Sequence, residues 1–79
     1  MNKSEIIQQL EVVFNDVLDK ENIALTEATS ADDLEGWDSL SHLQLIVAIE
    51  KQFKIKFTSK EILSWKNVGE LVNSIMRKK

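Results

Sequence analysis

Few side chains in this 79-residue sequence could do chemistry unaided. There is no Cys and a single His, His42. The lack of cysteine removes a built-in thiol nucleophile, any disulfide and any Cys-ligated metal. A lone His without HExxH or similar spacing makes no metal site, so none is expected. What remains is Asp38-Ser39, with His42 three residues beyond the serine. Ser39 and His42 can be imagined as nucleophile and base. The pair lacks an orienting acid in evident position and an oxyanion loop, and so small a domain has little pocket to offer. No catalytic residue is assigned, and the chain is read as a non-enzyme. The second chemistry is attachment. Asp38 is a good helix N-cap and leaves Ser39 at the first helical position. There the free backbone N–H groups and the positive dipole end favour an attached phosphate. Gly36 permits the tight turn before it. Taken alone, Asp-Ser ahead of an apolar run is also an ordinary helix start that carries nothing.

These residues need helices to position them. Ile6, Leu10, Val13, Phe14, Val17 and Leu18 recur at helical spacing and predict a first helix over Lys3 to Lys20, opened by an Asn2/Glu5 capping box. A long acidic connection follows, Glu21 to Asp38, which Ile23, Leu25 and Leu34 should pin to the core. Connections of this length in a small domain tend to be functional. The second helix is expected over Ser39 to Phe53. A link carrying Ile55 and Phe57 leads to Thr58-Ser59-Lys60-Glu61, a capping box that opens a short helix through Ile62 and Leu63. Asn67 caps a last helix bearing Val68, Leu71, Val72 and Ile75, with Arg77, Lys78 and Lys79 suiting its C-terminal dipole. The expected fold is all-α: three main helices plus one short one, a long first loop, and a single domain over 1–79. Trp37 reads as a loop anchor, His42 as a residue at the edge of the core, and Trp65 as a packing residue or an exposed contact.

The second helix carries two apolar groups. At about 100° per residue, Leu45, Ile46, Ile49 and Phe53 fall together as a core face with His42 nearby. Leu40, Leu43 and Val47 form a second stripe, turned away from the first. A surface helix needs only one such stripe. The second means either deeper burial or a docking surface, and the docking reading gains from the stripe's start beside Ser39.

Charge bounds the partners. Residues 1–50 hold eleven acids and two bases, whereas 51–79 hold two acids and eight bases. Glu21, Glu27, Asp32, Asp33, Glu35 and Asp38 line up without an intervening Lys or Arg, an edge that would attract a basic partner. Each of these acids can equally be a solvated loop residue. The basic end lacks interleaved exposed aromatics and a glycine-rich loop, and the net charge is −3, so nucleic acid is not expected as a partner. No apolar run spans a membrane, and no signal-peptide h-region is present, so the expected location is the cytoplasm. Nothing resembles a heptad seam, so a monomer is expected.

The stretch Glu35-Gly36-Trp37-Asp38-Ser39-Leu40-Ser41-His42-Leu43-Gln44-Leu45-Ile46 resembles the attachment site of the acyl carrier protein family. Asp-Ser-Leu stands at the head of helix two, after a loop Gly and before spaced aliphatics. Ala48-Ile49-Glu50-Lys51-Gln52-Phe53, Ile55 and Phe57 look like that family's helix-two ending, and the resemblance covers essentially the whole chain. It implies a carrier bearing 4'-phosphopantetheine on Ser39, transferred from coenzyme A by a phosphopantetheinyl transferase to which Asp38 is presented. The arm's thiol would hold an acyl or aminoacyl thioester for a fatty-acid, polyketide or other specialised pathway; peptidyl and D-alanyl carriers belong to the same class. Leu40, Leu43 and Val47 match positions offered to loading ligases and downstream synthases or transferases. A non-covalent helical docking module using the same three residues is the alternative of another kind. The fatty-acid synthase type has a strongly acidic helix two. From Asp38 through Lys54 this chain sets Asp38 and Glu50 against Lys51 and Lys54. Trp37 and His42 look more like specialised discrete carriers.

Overall fold

The computed structural model describes residues 2–78, and in it four helices follow one another: α1 Lys3–Val17, α2 Ser39–Phe53, α3 Ser59–Ser64 and α4 Val68–Lys78. A short 3-10 turn at Ala31–Asp33 interrupts the long connection. Helix α1 starts where the Asn2 side chain accepts the Glu5 N–H at 2.9 Å. It stops at Val17, short of the Lys20 that periodicity suggested. The reason is a Schellman closure: Lys20 N–H reaches Asn15 O (2.9 Å) and Asp19 N–H reaches Asp16 O (3.4 Å). Asp19 takes the left-handed backbone (φ 53°) that glycine usually supplies there, so no glycine marked the end. Helix α2 ends in the same way, with Lys54 at φ 58° and Ile55 N–H on Glu50 O at 3.1 Å.

Helix α1 packs against α2 and α4 around one apolar core. Ile6, Leu10 and Phe14 of α1, Leu45, Ile49 and Phe53 of α2, and Val68, Leu71, Val72 and Ile75 of α4 are all buried. Helix α3 contributes no buried residue, and its Leu63 is 86% exposed. It is held instead by its Thr58/Glu61 capping box and by an ion pair of Glu61 with Lys78 at 2.9 Å. The Thr58 N–H and Lys78 hold the Glu61 carboxyl below the usual carboxylate range.

The long connection is fastened from both sides. Leu25 is buried, and Ile23, Leu34 and Trp37 pack against the core. Its backbone donors are taken by α1 side chains: Ile23 N–H by Asn15 Oδ1 (3.0 Å) and Leu25 N–H by Glu11 Oε2 (2.9 Å). Its carbonyls in turn accept the orphan N–H groups at the start of α4, Val68 on Thr29 O and Gly69 on Glu27 O, each at 2.8 Å. Asn67 Oδ1 takes the Glu70 N–H at 3.0 Å, as the cap pattern required. The connection is therefore part of the bundle, and its far end is held in a defined place at Ser39.

The contact between the loop and α4 is close enough that only glycine fits. A Cβ at Gly69 would lie 2.9 Å from Glu27 O, a backbone atom. Gly69→Ala sets a helix-propensity gain of about 1 kcal/mol against an overpacking cost of about 1–3 kcal/mol. The clash is with main chain, so the cost should win by about 1 kcal/mol, read as a lower urea midpoint with unchanged slope.

Candidate functional site

The site is built at the junction of the connection and α2. Gly36 turns the chain with φ 94°, and Trp37 N–H closes on Leu34 O at 3.3 Å. Asp38 then caps α2, its carboxylate accepting the Ser41 N–H at 3.0 Å. That bond, first among its causes, holds the Asp38 carboxyl below the usual carboxylate range. The reciprocal half comes from Ser41. Its hydroxyl accepts the Asp38 N–H at 2.8 Å and donates to Gly36 O at 2.6 Å. Ser41 is buried, and it ties the turn, the cap and the helix into one unit. Ser41 was assigned no role from the sequence. The available signal was the Asp-x-x-Ser spacing, a capping box with Ser in place of Glu or Gln.

Ser39 is the first residue of α2 and is exposed. Among the described residues nothing donates to or accepts from its hydroxyl, so its lone pairs and proton are open to a reaction partner. Beside it lies an open cleft of about 620 Å³, lined by Ser39, His42 and Leu43 of α2, Ile62 and Leu63 of α3, and Trp65 of the link after it. The second apolar stripe of α2 faces outward: Leu40 is 68%, Leu43 58% and Val47 51% exposed. Of the two readings of that stripe, deeper burial is excluded. The core face is as the spacing required, with Leu45, Ile46, Ile49 and Phe53 buried.

His42 and the two tryptophans form one aromatic series. Phe14 meets Trp37 edge-on at 5.0 Å, Trp37 stacks on His42 at 6.1 Å, His42 meets Trp65 at 6.2 Å, and Trp65 meets Phe57 at 4.7 Å. The Trp37 indole N–H donates to His42 Nδ1 at 3.1 Å. Trp65 is a packing residue whose N–H donates to the buried Ser74 hydroxyl at 2.8 Å. His42 is half-buried at the edge of the core. The ring nitrogen that an acid would have to orient in a Ser–His pair is bound by an indole donor instead. Among the described residues no group of three or more His, Cys, Asp or Glu could hold a metal ion.

An exposed serine hydroxyl at a positive helix end, beside an open apolar cleft, fits a phosphate-linked arm. The family profile for the phosphopantetheine attachment site matches residues 8–75. The chain belongs to the acyl carrier protein family. It is similar to the acyl carrier protein of Thermosynechococcus vestitus, with 34% identity over 99% of this chain and 96% of that one. It is 30% identical to an acyl carrier protein of Borreliella burgdorferi across 100% of this chain and 99% of that one. Its fold is similar to the solution structure of a holo acyl carrier protein from Geobacter metallireducens, at TM-score 0.85 and 44% identity, covering 91% of this chain and 83% of that one. Acyl carrier proteins are non-catalytic; other enzymes act on them.

Two outcomes follow from the capped junction. Ser41→Ala removes a buried hydroxyl that pairs with two backbone groups of the turn, and should cost about 1–2 kcal/mol in chemical denaturation. The Asp38 carboxyl is lowered in the folded state, so its contribution is complete above the unfolded value and is lost as pH falls through the folded one. As pH falls below about 4 the urea midpoint of the wild type should drop by more than that of Asp38→Asn, which cannot titrate at this position.

Proposed function

We propose that this protein carries a thioester-linked cargo on 4'-phosphopantetheine attached to the Ser39 hydroxyl. The observation that carries the reading is the exposed hydroxyl at the capped head of α2, in a chain whose family is described by phosphopantetheine attachment. The bound group would supply the thiol that this Cys-free chain lacks. The residues themselves do the rest. Asp38, Gly36 and Ser41 hold Ser39 at the helix end, where orphan N–H groups favour the phosphodiester. Asp38 presents a carboxylate beside the hydroxyl to a phosphopantetheinyl transferase. Asp32, Asp33 and Glu35, exposed just ahead of it, extend a negative edge that steers a basic partner.

Leu40, Leu43 and Val47 are the docking stripe for loading ligases and for downstream synthases or transferases, and their exposure supports that role. The face they form is apolar rather than acidic, which favours a specialised discrete carrier of acyl or aminoacyl groups over a bulk fatty-acid synthase carrier. Among the described residues no helix is long and apolar enough to cross a membrane; a cytoplasmic monomer meeting its enzymes in solution is the working arrangement.

Intact mass tests this directly. Wild type and Ser39→Ala are incubated with coenzyme A, Mg²⁺ and a broad-specificity phosphopantetheinyl transferase. Wild type should gain one phosphopantetheine and Ser39→Ala none. No gain on folded wild type with several transferases would move the reading to a non-covalent docking module.

A further inference from the structure

We propose that His42 and Trp37 are positioning residues for modification of Ser39, acting through the hydrogen bond from the indole to the imidazole. This rests on the reading of Ser39 as the attachment residue. Trp37 immediately precedes the Asp38 cap, so wherever its indole goes, the turn that presents Ser39 follows. The indole is fixed on two sides. Its ring meets Phe14 of α1 edge-on at 5.0 Å, and it stacks on His42 with planes 25° apart. Its N–H donates to His42 Nδ1 at 3.1 Å. His42 lies one turn into α2 from Ser39 and lines the same cleft. The bond therefore straps the incoming loop to the helix across the serine.

An Nδ1 that accepts is unprotonated, so the ring carries its proton on Nε2. Imidazolium carries N–H on both nitrogens and has no acceptor. Protonation would set an indole N–H against an imidazolium N–H. An imidazolium beside two indoles gains cation–π attraction, which opposes this loss. That attraction is weak at a partly solvated ring. A lost hydrogen bond that also strands a half-buried donor costs more. The charged side chains that line the cleft with His42 are Asp38 from the head of α2 and Lys66 from the link before α4. Their signs are opposite, and the Asp38 carboxylate is turned to the Ser41 N–H. The strap therefore needs an acceptor at the Nδ1 position, whichever side chain supplies it.

The test compares wild type, His42→Asn, His42→Leu and Trp37→Phe. Asn keeps an acceptor near the Nδ1 position that does not titrate, whereas Leu keeps bulk without one. Initial rates of phosphopantetheine addition are read by intact mass with one transferase at a single pH. His42→Asn should keep most of the wild-type rate, whereas His42→Leu should be about fivefold slower, the factor expected for one hydrogen bond. Trp37→Phe should be as slow as His42→Leu, and the Trp37 indole N–H resonance should stay near its wild-type position in His42→Asn and move in His42→Leu. If wild type is modified and His42→Leu is modified as fast as His42→Asn, or if the indole resonance is the same in both, the positioning role is overturned and the attachment reading stands. If folded wild type is not modified, the attachment reading fails and takes this inference with it.

Discussion

A single buried hydroxyl closes the head of α2. Ser41 Oγ accepts the Asp38 N–H and donates to the Gly36 carbonyl, while the Asp38 carboxylate accepts the Ser41 N–H. Three residues of turn and the first turn of helix are thereby one rigid piece. Everything asked of Ser39 depends on that piece. A serine on a mobile loop would offer its hydroxyl in many directions. Here the hydroxyl sits at one point, in the field of the helix end, with no hydrogen-bond partner among the described residues.

The rigidity of the junction is inherited from a connection that would otherwise be floppy. The connection spends its amide donors on Asn15 and Glu11 of α1 and its carbonyls on the first amides of α4. Those amides are orphans of α4 and need partners in any case. The same bonds thus satisfy a helix end and fasten a loop. Gly69 is where this economy leaves no room for a side chain.

Helix α2 divides its labour by face. Leu45, Ile49 and Phe53 join the core, and Leu40, Leu43 and Val47 remain in solvent. Exposing three aliphatic side chains on one face is unfavourable for a lone domain, and it suits the proposed docking of partner enzymes. The aromatic series from Phe14 to Phe57 runs along the edge between those faces and places His42 and both tryptophans beside the cleft.

The sequence alone determined the helices, the core face of α2 and the position of Ser39 at its head. Each rests on local physics: apolar spacing at the helical period, and cap residues that satisfy amides within three positions. The α1 end escaped it because Asp19, not glycine, takes the left-handed backbone that stops the helix. The role of Ser41 was legible in the Asp-x-x-Ser spacing, but its bond to Gly36 was not, since that depends on how the turn folds back. Whether Leu40, Leu43 and Val47 were buried or exposed could not be read from periodicity. An apolar stripe is the same stripe whether or not another helix covers it. Tertiary structure decided that α1 and α4 cover only the other face. It likewise decided that Trp37 from the loop, His42 from α2 and Trp65 from the link before α4 converge on one cleft. Contacts among separate segments of the chain depend on how those segments pack, and no local pattern encodes that.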